Sequence, residues 1–428
     1  MRQHMGFGTL AVHGGQKLDP ITRSCLTPIY QTASYVFRDC AHGARLFTGE
    51  EEGDIYSRIS NPTCSAFEDR MAVLEDGSAA VAAASGQAAM AYSVLAIASH
   101  GDHVVAASNL YGGTYSFLAS TLKRFGVGVT FVPPNDLDAL NRAITPRTRA
   151  VYGETIGNPA LDVLDLEGTA SVAHSRRIPL IIDNTFATPY LCRPFEYGAD
   201  IVVHSATKYI CGHGSSIGGV VVDSGRFDWT SGNFPEFTSP ELGTGGSSWV
   251  DRFGEAAYAE KVRAQMVKDL GGCLAPFNAF LFLMGLETLH VRMERHCSNA
   301  QAVAEYLASH PGVQWVRYPG LEGDPSNLLA RKCLKGGFGA MIAFGVKGGL
   351  EASRTFADSV ELIMLLANLG DTRSLVVHPA TTTHHELTPE QRQASGISDD
   401  LLRLSVGIED ANDIIDDVDW ALRAAVRE

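Results

Sequence analysis

Lysine is scarce in this chain. Eight occur in 428 residues, and Lys plus Arg (34) are outnumbered by Asp plus Glu (48), for a net charge of −14. So acidic a balance argues against a broad nucleic-acid footprint or an anionic-membrane surface, though basic side chains can still gather in one pocket. No stretch is long and apolar enough to span a bilayer. Residues 1–8 lack the apolar centre of a secretory signal. The eight cysteines form no Cys-x-x-Cys pair and no zinc spacing, which predicts reduced thiols in a cytoplasmic protein. Repeats, low-complexity tracts and long linkers are missing too. What is present is a globular balance, 45% hydrophobic and 19% charged. At roughly 100–200 residues per domain, the length predicts two or three domains with a substantial core.

Residues 1–60 read as an arm. Polar and Gly/Pro-containing segments surround one apolar-aromatic piece at 28–37. An arm that cannot bury its own apolar residues lies on something else, commonly a neighbouring subunit; packing on its own chain is the alternative. From 61 to 270 helical and strand signals alternate. A helix is predicted over 62–74 with Asn61 as N-cap, and Ser85-Gly86-Gln87 opens another through Ala98. Short apolar runs predict strands at 103–107, 127–132, 150–154, 179–183, 201–205 and 218–222. This alternation predicts an α/β fold with a mostly parallel sheet. From 271 to 428 the pattern changes: helices at 277–297 and 299–309, strands at 313–317 and 340–345, then helices at 350–357 and 412–426. That is a smaller α/β C-terminal domain.

The strongest chemical constellation is Asp183-Asn184-Thr185 with His204-Ser205-Ala206-Thr207-Lys208-Tyr209. Asp183 closes a strand of Leu and Ile, and a carboxylate there points into the crevice where α/β sheets bind ligands. Lys208 is the only lysine between Lys123 and Lys261. It too lies just past a strand, behind two hydroxyl residues. A lysine at a crevice can form a Schiff base with an aldehyde. Ser205 and Thr207 can hydrogen-bond a phosphate, and a carboxylate can pair with a protonated ring nitrogen. Together these requirements describe pyridoxal phosphate (PLP). The bland alternative is a surface lysine and a strand-end aspartate. Ser85-Gly86-Gln87 weighs against it by offering a second anion site at a helix N-terminus.

These motifs resemble the Cys/Met-metabolism family of PLP enzymes. The resemblance runs from about Leu10 to the final helix. It includes Tyr56-Ser57-Arg58 with Asn61-Pro62-Thr63, Tyr111-Gly112-Gly113-Thr114-Tyr115, Asn158-Pro159 and Arg403-Leu404-Ser405-Val406-Gly407-Ile408-Glu409. It implies the PLP-dependent aminotransferase-like fold (fold type I). It implies that Lys208 carries the cofactor and shuttles protons, and that Asp183 pairs with the ring nitrogen. Tyr111 would stack on the ring, and Asn158 would bond its phenolic oxygen. The amides of Gly86 and Gln87, with the hydroxyls of Ser205 and Thr207, would hold the phosphate. Tyr56 and Arg58 would reach the neighbouring subunit's phosphate, which makes a dimer the smallest active unit. Arg403 would clamp the substrate carboxylate, with Asn368 beside it on the substrate side.

Within that family the chain resembles the O-acetylhomoserine sulfhydrylase branch. The segments that carry this are 204–219, Asn233-Phe234-Pro235-Glu236-Phe237 and 368–384. The length, with an insertion at about 225–260, fits as well. The implied reaction is γ-replacement on O-acetyl-L-homoserine by sulfide or methanethiol, in a homotetramer built as a dimer of dimers. O-succinylhomoserine sulfhydrylation and a methionine γ-lyase-type reaction are the alternatives; γ-lyases carry Cys where this chain has Gly113. The chain departs from the branch over 239–249, where a Tyr-His-Gly is expected. His384-His385-Glu386 superficially suggests a metal, but adjacent histidines do not share one face and no third ligand is visible, so no metal is expected. Gly212–Gly219 lacks the ending of a nucleotide P-loop and predicts close backbone packing. Cys211 is the one thiol near Lys208; the cysteines otherwise read as core residues.

Overall fold

The computed structural model of the protein describes residues 5–383, 392 and 396–426. Its larger sheet has seven strands: β1 (Ala79–Ala83), β2 (His103–Ala107), β3 (Gly128–Val132), β4 (Thr148–Glu154), β5 (Leu180–Asp183), β6 (Ile201–His204) and β7 (Gly219–Asp223). Their order is β1-β7-β6-β5-β4-β2-β3. The run β6-β5-β4-β2-β3 is parallel, and β7 runs antiparallel to both its neighbours. The strands are apolar without interruption because helices cover both faces: Leu180, Ile181 and Ile182 are all fully buried. Side chains alternate across the sheet, so Ile182 joins one apolar cluster with Phe67 and Phe282, while Ile181 joins another with Val94 and Trp249.

Six of these strands match the apolar runs of the sequence to within a residue or two. β1 does not. Its Ala-Ala-Val-Ala-Ala composition has little strand preference, and it forms because pairing with β7 buries it from Ala79↔Asp223 to Ala83↔Gly219.

A second sheet follows, of β8 (Val313–Arg317), β9 (Met341–Val346), β10 (Met364–Leu365), β11 (Leu375–Val377) and β12 (Leu401–Ser405), in the order β10-β11-β12-β9-β8. β11 and β12 were not legible in the sequence, and β12 carries Arg403. Two expected helix boundaries are corrected. The helix begun at Pro276 ends at Glu287, and a separate helix runs Leu289–Ser309. The break falls at Thr288, whose backbone leaves the helical region (φ −108°, ψ 5°). Arg292 fixes it by donating from Nη2 to Gly285 O at 2.6 Å and from Nε to Thr288 Oγ1 at 3.2 Å. The second helix therefore passes straight through Asn299, whose amide donates to Gly407 O and Glu409 O.

The N-terminal segment divides. Helix Phe7–His13 packs on its own chain, with Ala11 fully buried and Arg70 donating to Ala11 O and Gly14 O. Beyond it the arm is open: Ile21 is 88% and Val36 96% exposed. It is tethered where Tyr30 N donates to Thr63 Oγ1 at 2.9 Å and Asn61 Nδ2 donates to Tyr30 O at 2.8 Å. Asn61 also caps helix Pro62–Glu75 as expected.

Candidate active site

The chemistry-bearing residues meet where the parallel strands end. Glu154 closes β4, Asp183 closes β5, and Ser205, Thr207 and Lys208 lie on the loop leaving β6. All line one crevice of about 270 Å³ with Gly86, Gln87, Tyr111, Asn158, Asn368 and Arg403. Ten of the predicted site residues are therefore one site. Tyr56 and Arg58 are not part of this lining. Within the chain Arg58 donates to Lys268 O and lies 5.4 Å from the Tyr56 ring centroid. No residue of 239–249 lines the crevice either. That segment folds on itself, the Trp249 indole donating to Glu241 and the buried Lys261 ammonium standing 5.5 Å from the Phe237 and Trp249 rings.

One wall is an anion cup. Ser85 caps helix Gly86–Leu95, its Oγ accepting from Ala88 N at 3.1 Å. The first amides of a helix have no intrahelical acceptor and carry the positive end of its dipole. Gly86 lets this terminus press against the β6 loop: a Cβ there would sit 2.4 Å from Ser205 Cβ. The Thr207 hydroxyl accepts from Gly218 N at 3.1 Å and lies 3.2 Å from Gly218 O.

The floor is acidic. The β4/β5 register puts Glu154 directly beside Asp183. Burial raises both carboxyls above their usual range, Glu154 strongly. Thr185 opposes this at Asp183, its N–H donating to Oδ1 at 2.9 Å. Glu154 Oε1 accepts Tyr111 N at 2.7 Å and so holds the backbone that presents the Tyr111 ring. Glu154 was missed in the sequence, though the rule that exposed Asp183, a carboxylate ending an apolar strand, applies equally to it.

The cations face this floor. Lys208 Nζ donates to Asn368 Oδ1 at 2.6 Å. Burial, with the nearby Arg403 guanidinium, pushes the Lys208 pKa down to about 8. Arg403 is 4% exposed and donates from Nη1 to Asn158 Oδ1 at 2.8 Å. Burial lowers its pKa to about 10, so it stays charged at neutrality. Its Nε is buried without a partner.

These features fit pyridoxal phosphate. The helix-end amides and hydroxyls suit a phosphate. Two crowded carboxylates suit a protonated ring nitrogen, and the orphaned guanidinium face suits a substrate carboxylate. Cys211 is 1% exposed and packs in the apolar core, its thiol lying 3.4 Å from Ser215 Oγ, so it is a core residue. Gly212 serves close packing as expected, since a Cβ there would meet Arg292 Nη1 at 2.2 Å. His384, His385 and Glu386 lie outside the described residues. Among the described residues no group of three His, Cys, Asp or Glu could hold a metal ion, and no helix is long and apolar enough to cross a membrane.

The lowered pKa of Lys208 has a direct consequence. The neutral amine is the form that attacks an aldehyde, so capture of PLP by the apoprotein should rise with pH through about 8 and level off above it. Stopped-flow absorbance across pH measures this. A midpoint near the ordinary 10.5 would show that Lys208 is solvated, contrary to the structure.

Comparison with known proteins converges on the same chemistry. The model of the Cys/Met metabolism PLP-dependent enzymes matches residues 8–423. A homocysteine synthase of Schizosaccharomyces pombe is 51% identical over 98% of both chains. An O-acetyl-L-homoserine sulfhydrylase of Leptospira meyeri is 47% identical over 97% of this chain and 96% of its own. A crystal structure of a putative O-acetylhomoserine (thiol)-lyase from Campylobacter jejuni, with N'-pyridoxyl-lysine-5'-monophosphate, superposes with TM-score 0.95 at 37% identity. The match covers 98% of this chain and 100% of that one. The fold is thus the aminotransferase-like fold type I that the sequence led us to expect.

Proposed function

The chain belongs to the Cys/Met metabolism PLP-dependent enzyme family, and on that premise we propose that it performs γ-replacement on O-acetyl-L-homoserine. Sulfide (or methanethiol) replaces acetate, giving L-homocysteine (or methionine). The observation that carries the reading is the charge inventory of the crevice. Among the described lining residues the cations are Lys208 and Arg403. One is assigned to the cofactor and the other to the α-carboxylate. A succinyl donor brings a second carboxylate with no cation left to meet it, whereas an acetyl ester is neutral. The γ-lyase reading is disfavoured at Gly113. γ-Lyases carry Cys there, whereas here a Cβ would lie 2.6 Å from Tyr111 Cε1, so the Tyr111 ring in this chain is packed against a residue without a side chain.

Bound pyridoxal phosphate would supply an electron sink for the pair released when a substrate C–H bond breaks. The chain's own residues do the rest. Lys208 Nζ would hold the cofactor and, once free, take the proton from the substrate Cα; a pKa of about 8 suits a base working near neutrality. Asp183 holds a proton on the ring nitrogen. Asn158 orients Arg403 through the 2.8 Å bond at its Oδ1, and its amide nitrogen would serve the ring's phenolic oxygen. Tyr111 covers the ring, and Asn368 steadies Lys208 Nζ between proton transfers. Gly86, Gln87, Ser205 and Thr207 anchor the phosphate.

Purified protein given O-acetylhomoserine, O-succinylhomoserine or O-acetylserine, each with sulfide, should form homocysteine from the first far faster than product from the others. Keto acid released from methionine or homocysteine without sulfide, at a comparable rate, would instead make it a lyase.

The reading extends to a homo-oligomer, a dimer of dimers, with residues 1–60 as an N-terminal arm whose open part beyond helix Phe7–His13 contacts the neighbouring subunit, 61–270 as the PLP-binding domain and 271–428 as the C-terminal domain. Its place is the cytoplasm, in keeping with eight free cysteines. The exposed arm, and the absence of Tyr56 and Arg58 from the lining of their own crevice, support their service to a neighbour's phosphate. Subunit exchange tests this. Arg58→Ala and Lys208→Ala subunits, each shown to be nearly inactive, are mixed and re-associated. In a mixed dimer one site takes both defects and the other takes neither. Activity of about a quarter of wild type should appear from statistical mixing. If exchange is verified and no activity returns, Arg58 serves its own chain.

A further inference from the structure

Glu75 and His204 stand 129 positions apart in the chain and meet behind the sheet with neither side chain exposed to solvent. Glu75 ends helix Pro62–Glu75, and His204 ends β6. His204 Nε2 lies 2.5 Å from Glu75 Oε1, so a proton sits in that contact. Neither residue lines the crevice. A buried pair of this kind adds little net stability, because desolvation offsets the attraction. This one is also incompletely satisfied: His204 Nδ1 and Glu75 Oε2 are buried without a partner. Orphaned groups in a native core call for a reason other than stability.

The reason lies in a third residue. Glu75 Oε1 also accepts Asn184 Nδ2 at 3.0 Å. The same nitrogen donates to Cys192 O at 2.9 Å, and Asn184 Oδ1 accepts the Thr155 hydroxyl at 2.7 Å. The Asn184 backbone N–H donates to Val203 O at 2.9 Å, and its carbonyl accepts Thr188 N at 2.8 Å. Every polar group of Asn184 is therefore engaged, and its partners come from the helix below, from the ends of β4 and β6, and from the turn after β5. Asn184 directly follows Asp183. Successive strand-end residues face opposite sides, so Asp183 looks into the crevice while Asn184 is gripped from behind.

We propose that Glu75 and His204 are positioning residues: by clamping Asn184 they fix the Asp183 carboxylate at the place where the cofactor's ring nitrogen arrives. The inference rests on the role proposed above for Asp183. His204 supports it electrostatically as well, since it draws the Asp183 carboxyl down against the larger upward push of burial.

The test compares holoprotein with Glu75→Ala, Glu75→Gln, Asp183→Asn and the Glu75→Ala/Asp183→Asn double variant. The readouts are the absorbance band of bound PLP and its dissociation constant. Glu75→Ala should weaken PLP binding about tenfold, the effect of losing one buried hydrogen-bond anchor. It should also move the band in the same direction as Asp183→Asn. Glu75→Gln keeps an oxygen acceptor for both donors and should restore most of each. In the double variant the Glu75 change should add little, because the group it positions is already altered. A wild-type band and affinity in Glu75→Ala would overturn the proposal. So would a Glu75→Ala effect undiminished in the Asp183→Asn background, or a Glu75→Gln variant as impaired as Glu75→Ala. If Glu75→Ala does not fold, Glu75→Asp carries the same comparison, since it withdraws the oxygen from Asn184. An unchanged band in Asp183→Asn alone marks failure of the Asp183 assignment rather than of the clamp.

Discussion

Lys208→Ala should lose turnover by about 10³-fold or more while still binding PLP, because the missing group is the proposed proton carrier and a general base alone contributes roughly 10²–10⁴-fold. The proposed phosphate cup does not depend on Lys208. It is built from the terminus of helix Gly86–Leu95 and the hydroxyls of Ser205 and Thr207. Removing the side chain also relieves a cost, since Lys208 and Arg403 sit in one crevice and each is penalised by burial. The fold should therefore survive. Borohydride supplies the second readout. Treated wild type should retain the cofactor on the peptide containing Lys208, and treated Lys208→Ala should release it on denaturation. Cofactor fixed to another lysine, or turnover within tenfold of wild type, would move the covalent site away from Lys208.

How much of this was legible depends on where the physical signal resides. Asp183 and Lys208 were readable because each follows an uninterrupted apolar run, and the strand is its own marker. Glu154 carries the same mark and could have been read by the same rule. β1 was not readable: a run of alanines has no strand preference, and its pairing partner β7 comes some 140 residues later, as Ala79↔Asp223 shows. Arg403 was reached through resemblance, because β12 is a five-residue strand whose other members are ordinary Leu and Ser, buried only because β9 and β11 lie on either side. The Glu75–His204–Asn184 clamp left no local trace. Each member has an ordinary sequence reading, as a helix end, a residue before a serine and a residue after an aspartate, and only the folded sheet brings them into contact. The break at Thr288 is of the same kind, since Arg292 defines it from across a turn.

Arg403→Ala should reduce kcat/KM by roughly 30- to 5,000-fold, the equivalent of about 2–5 kcal/mol for removing one partner of a buried charge pair. The structure sets that expectation in three ways. Arg403 is 4% exposed, so a carboxylate brought to it leaves water and depends on the guanidinium alone for compensation. Its Nη1 is held by Asn158 Oδ1 at 2.8 Å, which fixes the plane of the fork before substrate arrives. Its Nε is buried with no acceptor, a cost in the free protein that a bidentate carboxylate would remove. Arg403→Lys is the discriminating control. It keeps the charge but presents a single ammonium in place of the fork, so it should recover only part of the loss. The fall should appear for O-acetylhomoserine and be nearly absent for an analogue lacking the α-carboxylate, which has nothing for Arg403 to bind. Because Arg403 lies mid-strand in β12, circular dichroism and the PLP absorbance band must first show a folded, cofactor-loaded variant. A loaded Arg403→Ala protein with near-wild-type kcat/KM would remove Arg403 from the site and leave Lys208 as the one cation among the described lining residues.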